Sequence, residues 1–150
     1  MTAAELRPAT RADLPAIVTL IADDQLGSTR ESLDDLTPYE TAFAALEADP
    51  NQLLMVADRN GEVVGTFQLT FIPGLSRRGA TRSQIEAVRV AASTRGTGLG
   101  RTMMQWAITE SRRRGCSLVQ LTSDKSRTDA HRFYTNLGFT MSHEGFKLTL

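Results

Sequence analysis

Between Gln84 and Arg114 the chain changes its hydrophobic period, and that change limits what it can fold into. Gln84-Ile85-Glu86-Ala87-Val88-Arg89-Val90 alternates like a half-buried strand, whereas Leu99 to Arg114 carries a helical pattern. Ala91-Ala92-Ser93-Thr94 and the run Arg95-Gly96-Thr97-Gly98-Leu99-Gly100-Arg101 join the two. Glycines at alternate positions let a ligand approach the backbone, and the first turn of the following helix carries N–H groups without intrahelical partners. With the positive end of the helix dipole and the flanking charges of Arg95 and Arg101, the loop is predicted to hold phosphate oxygens. The alternative is a tight turn that merely needs glycine.

Two common phosphate-binding patterns do not fit. A nucleoside-triphosphate loop requires Gly-Lys followed by Ser or Thr, and here Gly100-Arg101-Thr102 stands with the wrong glycine spacing. A dinucleotide fingerprint needs a small residue where Arg101 and Met103 stand, although Asp124 ends the next strand where a ribose-binding acid would be expected.

The chain divides into further elements by the same periodicities. Residues 2–8 are predicted as a first strand, and Asp13 as the cap of a helix from Leu14 to about Asp23. Residues 24–36 lack periodicity and are acidic; Arg30 is the residue there whose guanidinium suits a substrate carboxylate. Thr37-Pro38-Tyr39-Glu40 reads as a helix start, with Thr37 as N-cap and Glu40 reciprocating, in a helix that turns Tyr39, Phe43 and Leu46 inward. Leu53–Asp58 and Glu62–Ile72 are strands joined by a hairpin turn at Asn60-Gly61. Arg77, Arg78 and Arg82 mark the connection to the central strand and could meet an acidic acceptor or a partner chain, or simply be solvated.

A regular central strand would put Glu86, Val88 and Val90 on one side and Ile85, Ala87 and Arg89 on the other. A carboxylate amid apolar residues needs a partner or a task, so Glu86 is either a candidate base or the partner of an arginine such as Arg89 or Arg132. Leu99, Met103, Trp106 and Ala107 form the inner stripe of the next helix, which closes with Arg112-Arg113-Arg114 and Gly115. Ser117–Ser123 is predicted as a buried strand parallel to the central one, making a right-handed βαβ unit. Thr128 caps a last helix with Ala130, Phe133, Tyr134 and Leu137 inward, and Phe139–Leu150 is predicted to supply one or two final strands.

Lys plus Arg and Asp plus Glu both total 17, so no whole-molecule field favours nucleic acid, an anionic membrane or a polyacidic partner. Cys116 is the single cysteine, which leaves no intrachain disulfide and no thiol-based metal site. With no apolar run of membrane-spanning length and no leader pattern, a cytoplasmic protein is expected. At 150 residues a single domain over 1–150 is expected.

Arg95-Gly96-Thr97-Gly98-Leu99-Gly100 reads as R-x-x-G-x-G after a Val88-Arg89-Val90 strand end, and Ala130 to Phe139 is a tyrosine-bearing helix that ends in Leu137-Gly138-Phe139. In this order the two motifs resemble those of the GNAT N-acetyltransferase superfamily, and the order βααβββαβαβ is similar to that fold over essentially the whole chain. The resemblance implies an α/β fold with a mixed central sheet, splayed parallel strands and flanking helices, using acetyl-CoA and no metal. It implies that Val88 and Val90 pair with the pantetheine arm, that Arg95, Gly96, Thr97, Gly98, Leu99, Gly100 and Arg101 hold the pyrophosphate, and that Tyr134 lies near the thioester sulfur. A core tyrosine whose hydroxyl finds a surface partner is the other reading of Tyr134.

Two positions depart from the family pattern. The asparagine that many members place before the second motif is replaced by Arg127, beside Ser126, and the strand-loop proline by Ala92. The implied activity is direct transfer of acetyl from acetyl-CoA to a primary amine of a small molecule or peptide; the alternative is a non-catalytic acyl-CoA sensor or structural module. A homodimer would be compatible with a self-pairing final strand or an arginine-rich loop contact.

Overall fold

A computed structural model of the protein describes residues 3–24 and 26–150. The described residues up to 120 form one compact unit and 121–150 a second. In the first, strands β1 (Glu5–Pro8), β2 (Gln52–Arg59), β3 (Glu62–Ile72), β4 (Arg82–Val90) and β5 (Leu118–Gln120) lie side by side in chain order. Neighbours are antiparallel except β4 and β5, which are parallel. Helices α1 (Leu14–Ala22), α2 (Gly27–Arg30) and α3 (Thr37–Ala48) precede β2; the four-residue turn α4 (Ser76–Gly79) joins β3 to β4, and α5 (Leu99–Arg113) joins β4 to β5. The expected mixed α/β architecture is present. Thr2, the first residue of the expected first strand, lies outside the described residues.

Local chemistry explains most of the boundaries. Asn60 and Gly61 both have positive φ, 54° and 85°, as a two-residue turn with the twist of its strands requires. Gly61 N–H donates to Asp58 Oδ1 at 2.7 Å and fixes that turn. Thr37 is not the N-cap of α3: Leu36 holds that position, and Asp35 Oδ1 accepts the Thr37 N–H at 3.0 Å. Glu40, expected to reciprocate, instead reaches Arg11 at 2.9 Å. An acid two residues upstream thus supplies the first-turn acceptor expected of the threonine.

Asp13 is also diverted. It precedes α1 without capping it and accepts Thr10 N–H at 2.7 Å and both terminal nitrogens of Arg7, at 2.7 and 3.0 Å. Arg7 Nε also reaches Asp58 at 3.1 Å, so one guanidinium ties β1, the entry to α1 and the end of β2. The Arg7 hydrogen bonds hold the Asp13 carboxyl below the usual aspartate range, against an opposing effect of burial. A carboxyl depressed in the folded state stabilises fully above its unfolded pKa, about 3.9, and loses that contribution as pH falls through the lower folded value. Asp13→Asn is therefore expected to cost about 1–3 kcal/mol at neutral pH, with the difference from wild type shrinking in acid. Urea unfolding at pH 7 and pH 3 measures both; an equal difference at the two values would exclude the linkage.

The sheet has two distinct faces. Phe67 meets Trp106 of α5 with ring centroids 6.0 Å apart, and Ser83 and Ser111 share a buried hydrogen bond of 2.7 Å. Gly65 lies against α5 so closely that a Cβ there would stand 2.7 Å from Met103 Sδ. On the other face α1 packs over β3 and β4, and α3 over β2. The core includes Val18, Met55, Val56, Val64, Phe67, Leu69, Ile85, Met103 and Met104.

The central strand is not regular. Gln68 pairs with Glu86 and Thr66 with Arg89, so Phe67 faces two residues, Ala87 and Val88, and Ala87 has φ 52°. This bulge reverses the alternation expected from the sequence. Glu86 shares a face with Arg89, while Val90, paired with Gly65, is on the α5 side. Glu86, Val88 and Val90 do not form one stripe.

The second unit holds α6 (Thr128–Asn136), which begins one residue earlier than a Thr128 cap would place it, Arg127 standing at the N-cap. It ends as predicted at Gly138, φ 101°, with Gly138 N–H donating to Thr135 O and Phe139 N–H to Tyr134 O. Ala130, Phe133, Tyr134 and Leu137 are half-buried. The final strands expected over Phe139–Leu150 are absent: the segment is irregular, and Phe146 and Leu148 are 95% and 85% exposed. Alternating apolar residues describe a strand only where an edge is available to pair with it.

Candidate active site

The parallel ladder is short. β5 spans Leu118–Gln120 instead of the expected Ser117–Ser123, and its last pair is Gln84 with Gln120. β4 continues to Val90, so from Ile85 onward it has no strand partner on that side among the described residues. Val88 and Val90 are half-buried along this edge, and the Val88 carbonyl accepts from Arg89 Nη1 at 2.8 Å.

At the end of this open edge the chain makes a short 3₁₀ turn, Ala92–Thr94, and reaches the glycine loop. Thr94 and Thr97 brace the loop from within: each donates both its N–H and its hydroxyl to the backbone carbonyl three residues back, on Ala91 and Thr94 respectively. Gly96 and Gly98 have φ of 78° and 87°, and a Cβ on either would meet nothing within 4 Å. Glycine is required here for backbone conformation, and the space above it is open. Gly98 is the N-cap of α5, with no side chain capping it. The N–H groups of Leu99, Gly100 and Arg101 thus open a helix whose dipole favours an anion. Arg95 and Arg101 are exposed beside them, with Arg95 3.9 Å from Asp23. These residues suit a diphosphate by conformation, donors and charge.

Glu86 is exposed on the face opposite α5 and accepts a hydrogen bond from Gln84 Nε2. It pairs with neither arginine considered from the sequence. Arg89 is held by Asp24 at 2.8 Å, and Arg132 by Asp129. The Arg89–Asp24 pair, whose side chains are 14% and 25% exposed, pins the end of α1 to β4 just beyond Glu86. Arg30 is exposed on α2, with Nε donating to Leu26 O at 3.2 Å.

In the second unit Tyr134 is half-buried, its ring edge-on to Phe133 and Phe139 at 5.2 and 5.9 Å. Ser126 and Arg127 are exposed in the turn before α6. Asp124 shapes that turn by accepting the Ser126 N–H and hydroxyl at 2.9 and 2.6 Å, which hold its carboxyl below the ordinary range. Burial pushes the Cys116 thiol up, away from the reactive thiolate. A cavity of about 560 Å³ between α1, the hairpin turn and Ala91-Ala92 contains none of the expected site residues.

Sequence reasoning missed the Arg89–Asp24 strut and a row of polar side chains on the Glu86 face. Gln68 Nε2 and Thr70 Oγ1 donate to Gln52 Oε1 at 3.0 and 2.8 Å, and Gln120 Nε2 donates to Gln84 Oε1 at 2.8 Å. The available signal was a polar side chain at alternate positions, Thr66, Gln68 and Thr70 in β3 and Arg82, Gln84 and Glu86 in β4.

Known proteins share this family and fold. The family model described as acetyltransferase (GNAT) family matches residues 16–139. An aminoalkylphosphonate N-acetyltransferase from Salmonella typhimurium is 34% identical over 150 residues, covering 100% of this chain and 94% of the relative. A crystal structure of a transcriptional regulator from Bacillus halodurans is 44% identical with a TM-score of 0.95, covering 98% of this chain and 99% of the other. A putative acetyltransferase from Agrobacterium tumefaciens is 29% identical with a TM-score of 0.86, covering 97% and 99%. With a family match over residues 16–139 and a relative 34% identical across its whole length, this chain belongs to the acetyltransferase (GNAT) family and is an acetyltransferase.

Proposed function

We propose that the protein transfers the acetyl group of acetyl-CoA directly to a primary amine of a small molecule or peptide. The Salmonella typhimurium relative, named for aminoalkylphosphonates, favours a small-molecule amine. The observation that carries the reading is the open edge of β4, which leads from Glu86 past Val88 and Val90 to the uncapped start of α5. Residues 1–150 are read as one cytoplasmic acetyltransferase domain that needs neither metal nor nucleic acid and is compatible with a homodimer.

Acetyl-CoA supplies a thioester, and this chain supplies orientation and proton handling. Gly96, Thr97, Gly98, Leu99, Gly100 and Arg101 with Arg95 hold the diphosphate; Val88 and Val90 align the pantetheine arm, and Ser126 and Arg127 flank it. An ammonium group cannot attack a carbonyl until it loses a proton, and Glu86 accepts that proton directly or through water. The amine nitrogen then bonds to the carbonyl carbon, and the main-chain N–H near Val88 stabilises the oxyanion. As the C–S bond breaks, the Tyr134 hydroxyl protonates the leaving sulfur, and the second proton lost by the nitrogen on forming the amide returns to the Tyr134 oxygen. Arg30 is assigned to the acceptor.

Free thiol release with acetyl-CoA and a panel of amines tests the activity: acceptor-dependent release is expected, and tight acetyl-CoA binding without it identifies a sensor. Tyr134→Phe is expected to lower kcat about a hundredfold while leaving the affinity for acetyl-CoA unchanged. A wild-type rate in that variant removes Tyr134 from the reaction.

A further inference from the structure

The bulge of β4 holds a conformation that its own residues do not favour. Ala87 has φ 52°, a left-handed angle that is strained for an L-residue unless its surroundings impose it. Its side chain is exposed, so packing of the alanine itself does not account for the angle. The ladder to β3 fixes the strand on either side, at Glu86 with Gln68 and at Arg89 with Thr66. Between those pairs Ala87 and Val88 together face Phe67, and the ladder alone does not orient their peptide groups.

Arg89 supplies a further constraint. Its side chain turns back along the strand, and Nη1 donates to the Val88 carbonyl at 2.8 Å. Nη2 meets Asp24 Oδ2, also at 2.8 Å, with 14% of the arginine side chain and 25% of the aspartate side chain exposed. Two nitrogens of one planar group thus serve a backbone carbonyl and a carboxylate in fixed relative directions. Where water is largely excluded, a charged donor holds a carbonyl firmly, and the ion pair offsets the cost of burying the cation.

Asp24 is anchored in turn. Its Oδ1 accepts the N–H of Gly27, the first residue of α2. Gly27 is buried, and a Cβ there would collide with the Ile21 carbonyl, so the start of α2 sits tight against the end of α1. One carboxylate therefore links the segment that carries Arg30 to the strand that carries Val88.

We infer that Arg89 and Asp24 are positioning residues for acyl transfer: the guanidinium, held by the carboxylate, sets the Val88 carbonyl and with it the direction of the main-chain N–H that stabilises the oxyanion. This rests on the acetyltransferase reading and assigns the side chains that aim its oxyanion donor. Neither side chain touches a reacting atom or moves a proton. The pair keeps a strained stretch of strand aligned before substrate arrives, so that no reorganisation is needed at the moment of reaction.

The test compares wild type with Arg89→Lys and with the double variant Arg89→Met/Asp24→Asn. Lysine keeps an ion pair with Asp24 but has one nitrogen where two are used, and it leaves the bond from Gly27 to Asp24 in place. The double variant removes both charges together, so neither is stranded in the interior, and its asparagine oxygen can still accept from Gly27. Both are expected to lower kcat about ten- to a hundredfold, measured per folded molecule well below the thermal midpoint, with the Kd for acetyl-CoA within about twofold of wild type. An unchanged kcat in either variant overturns the inference whatever happens to stability, as does a loss seen only in acetyl-CoA affinity. Amide resonances give a readout without turnover: acetyl-CoA is expected to shift the Val88 amide in wild type and to shift it less in Arg89→Lys. Equal shifts in the two proteins, or none in either, overturn the inference. If wild type releases no thiol with any amine, the acetyl-transfer reading falls, and these resonances still decide whether the pair orients the strand.

Discussion

Glu86→Gln is expected to lower kcat by about a hundred- to ten-thousandfold, the range for removal of a general base, with acetyl-CoA affinity unchanged. The amide occupies the same volume on the same exposed face and can still meet Gln84, but it cannot accept a proton from an ammonium group. The position is tolerant structurally: Glu86 pairs with no arginine, so its charge can be removed without stranding a buried partner. A kinetic loss would therefore be separable from a folding defect. Thermal midpoints within a degree or two, at about 2–8 °C per kcal/mol, together with the kinetic loss, would place the carboxylate in the reaction. An unchanged pH–rate profile would leave it a structural role only.

Gly98→Val is expected to weaken acetyl-CoA binding by about ten- to a hundredfold, for a conformational reason. Gly98 has φ 87° at the head of α5, and a Cβ there would meet nothing within 4 Å. The substitution would fit sterically but still be strained, because a left-handed conformation costs an L-residue about 1–2 kcal/mol and a β-branched one more. The chain relieves that strain by rotating the peptide groups around position 98. The N–H groups at the start of α5 then no longer converge on one anion. Titration with acetyl-CoA, monitored by the amide resonances of residues 96–101, measures both affinity and site. Wild-type affinity with those resonances shifting as before would show that the glycine conformation does not matter for binding.

Features set by nearest neighbours were legible in the sequence. Asn60-Gly61 specifies its turn through two positive φ angles, and the glycines at 96 and 98 specify theirs in the same way. Gly138 closes α6 where the sequence places the stop. The family motifs located the loop and helix because both are contiguous.

Features set by distant partners were not legible. Nothing in Glu86-Ala87-Val88 announces a bulge, since alanine is an uncommon residue at φ 52° and the misalignment arises against Phe67 on β3. Arg89 was a plausible partner for Glu86 along the strand, but the acid it meets is Asp24, at the end of α1. The run Ser117–Ser123 has strand composition, yet its ladder length is set by β4, and only Leu118–Gln120 pair. Arg82 was visible as a charge in a connection, but its place on the face of Glu86 depends on β4 beginning two residues earlier than the alternation suggested.

The extra residue at Ala87 works as a half-period phase shift in the chain. Before it, the odd-numbered positions of β4 belong to the α5 layer; after it, the even-numbered Val90 does. A strand of the same length paired without the bulge would have a uniform pleat and would turn Arg89 into the apolar layer beneath α5, away from its acid. The loop that follows would begin rotated by half a strand repeat. The bulge thus sets the phase between Glu86 and the residues that lead into the glycine loop, and pairing in this strand is as constrained as composition.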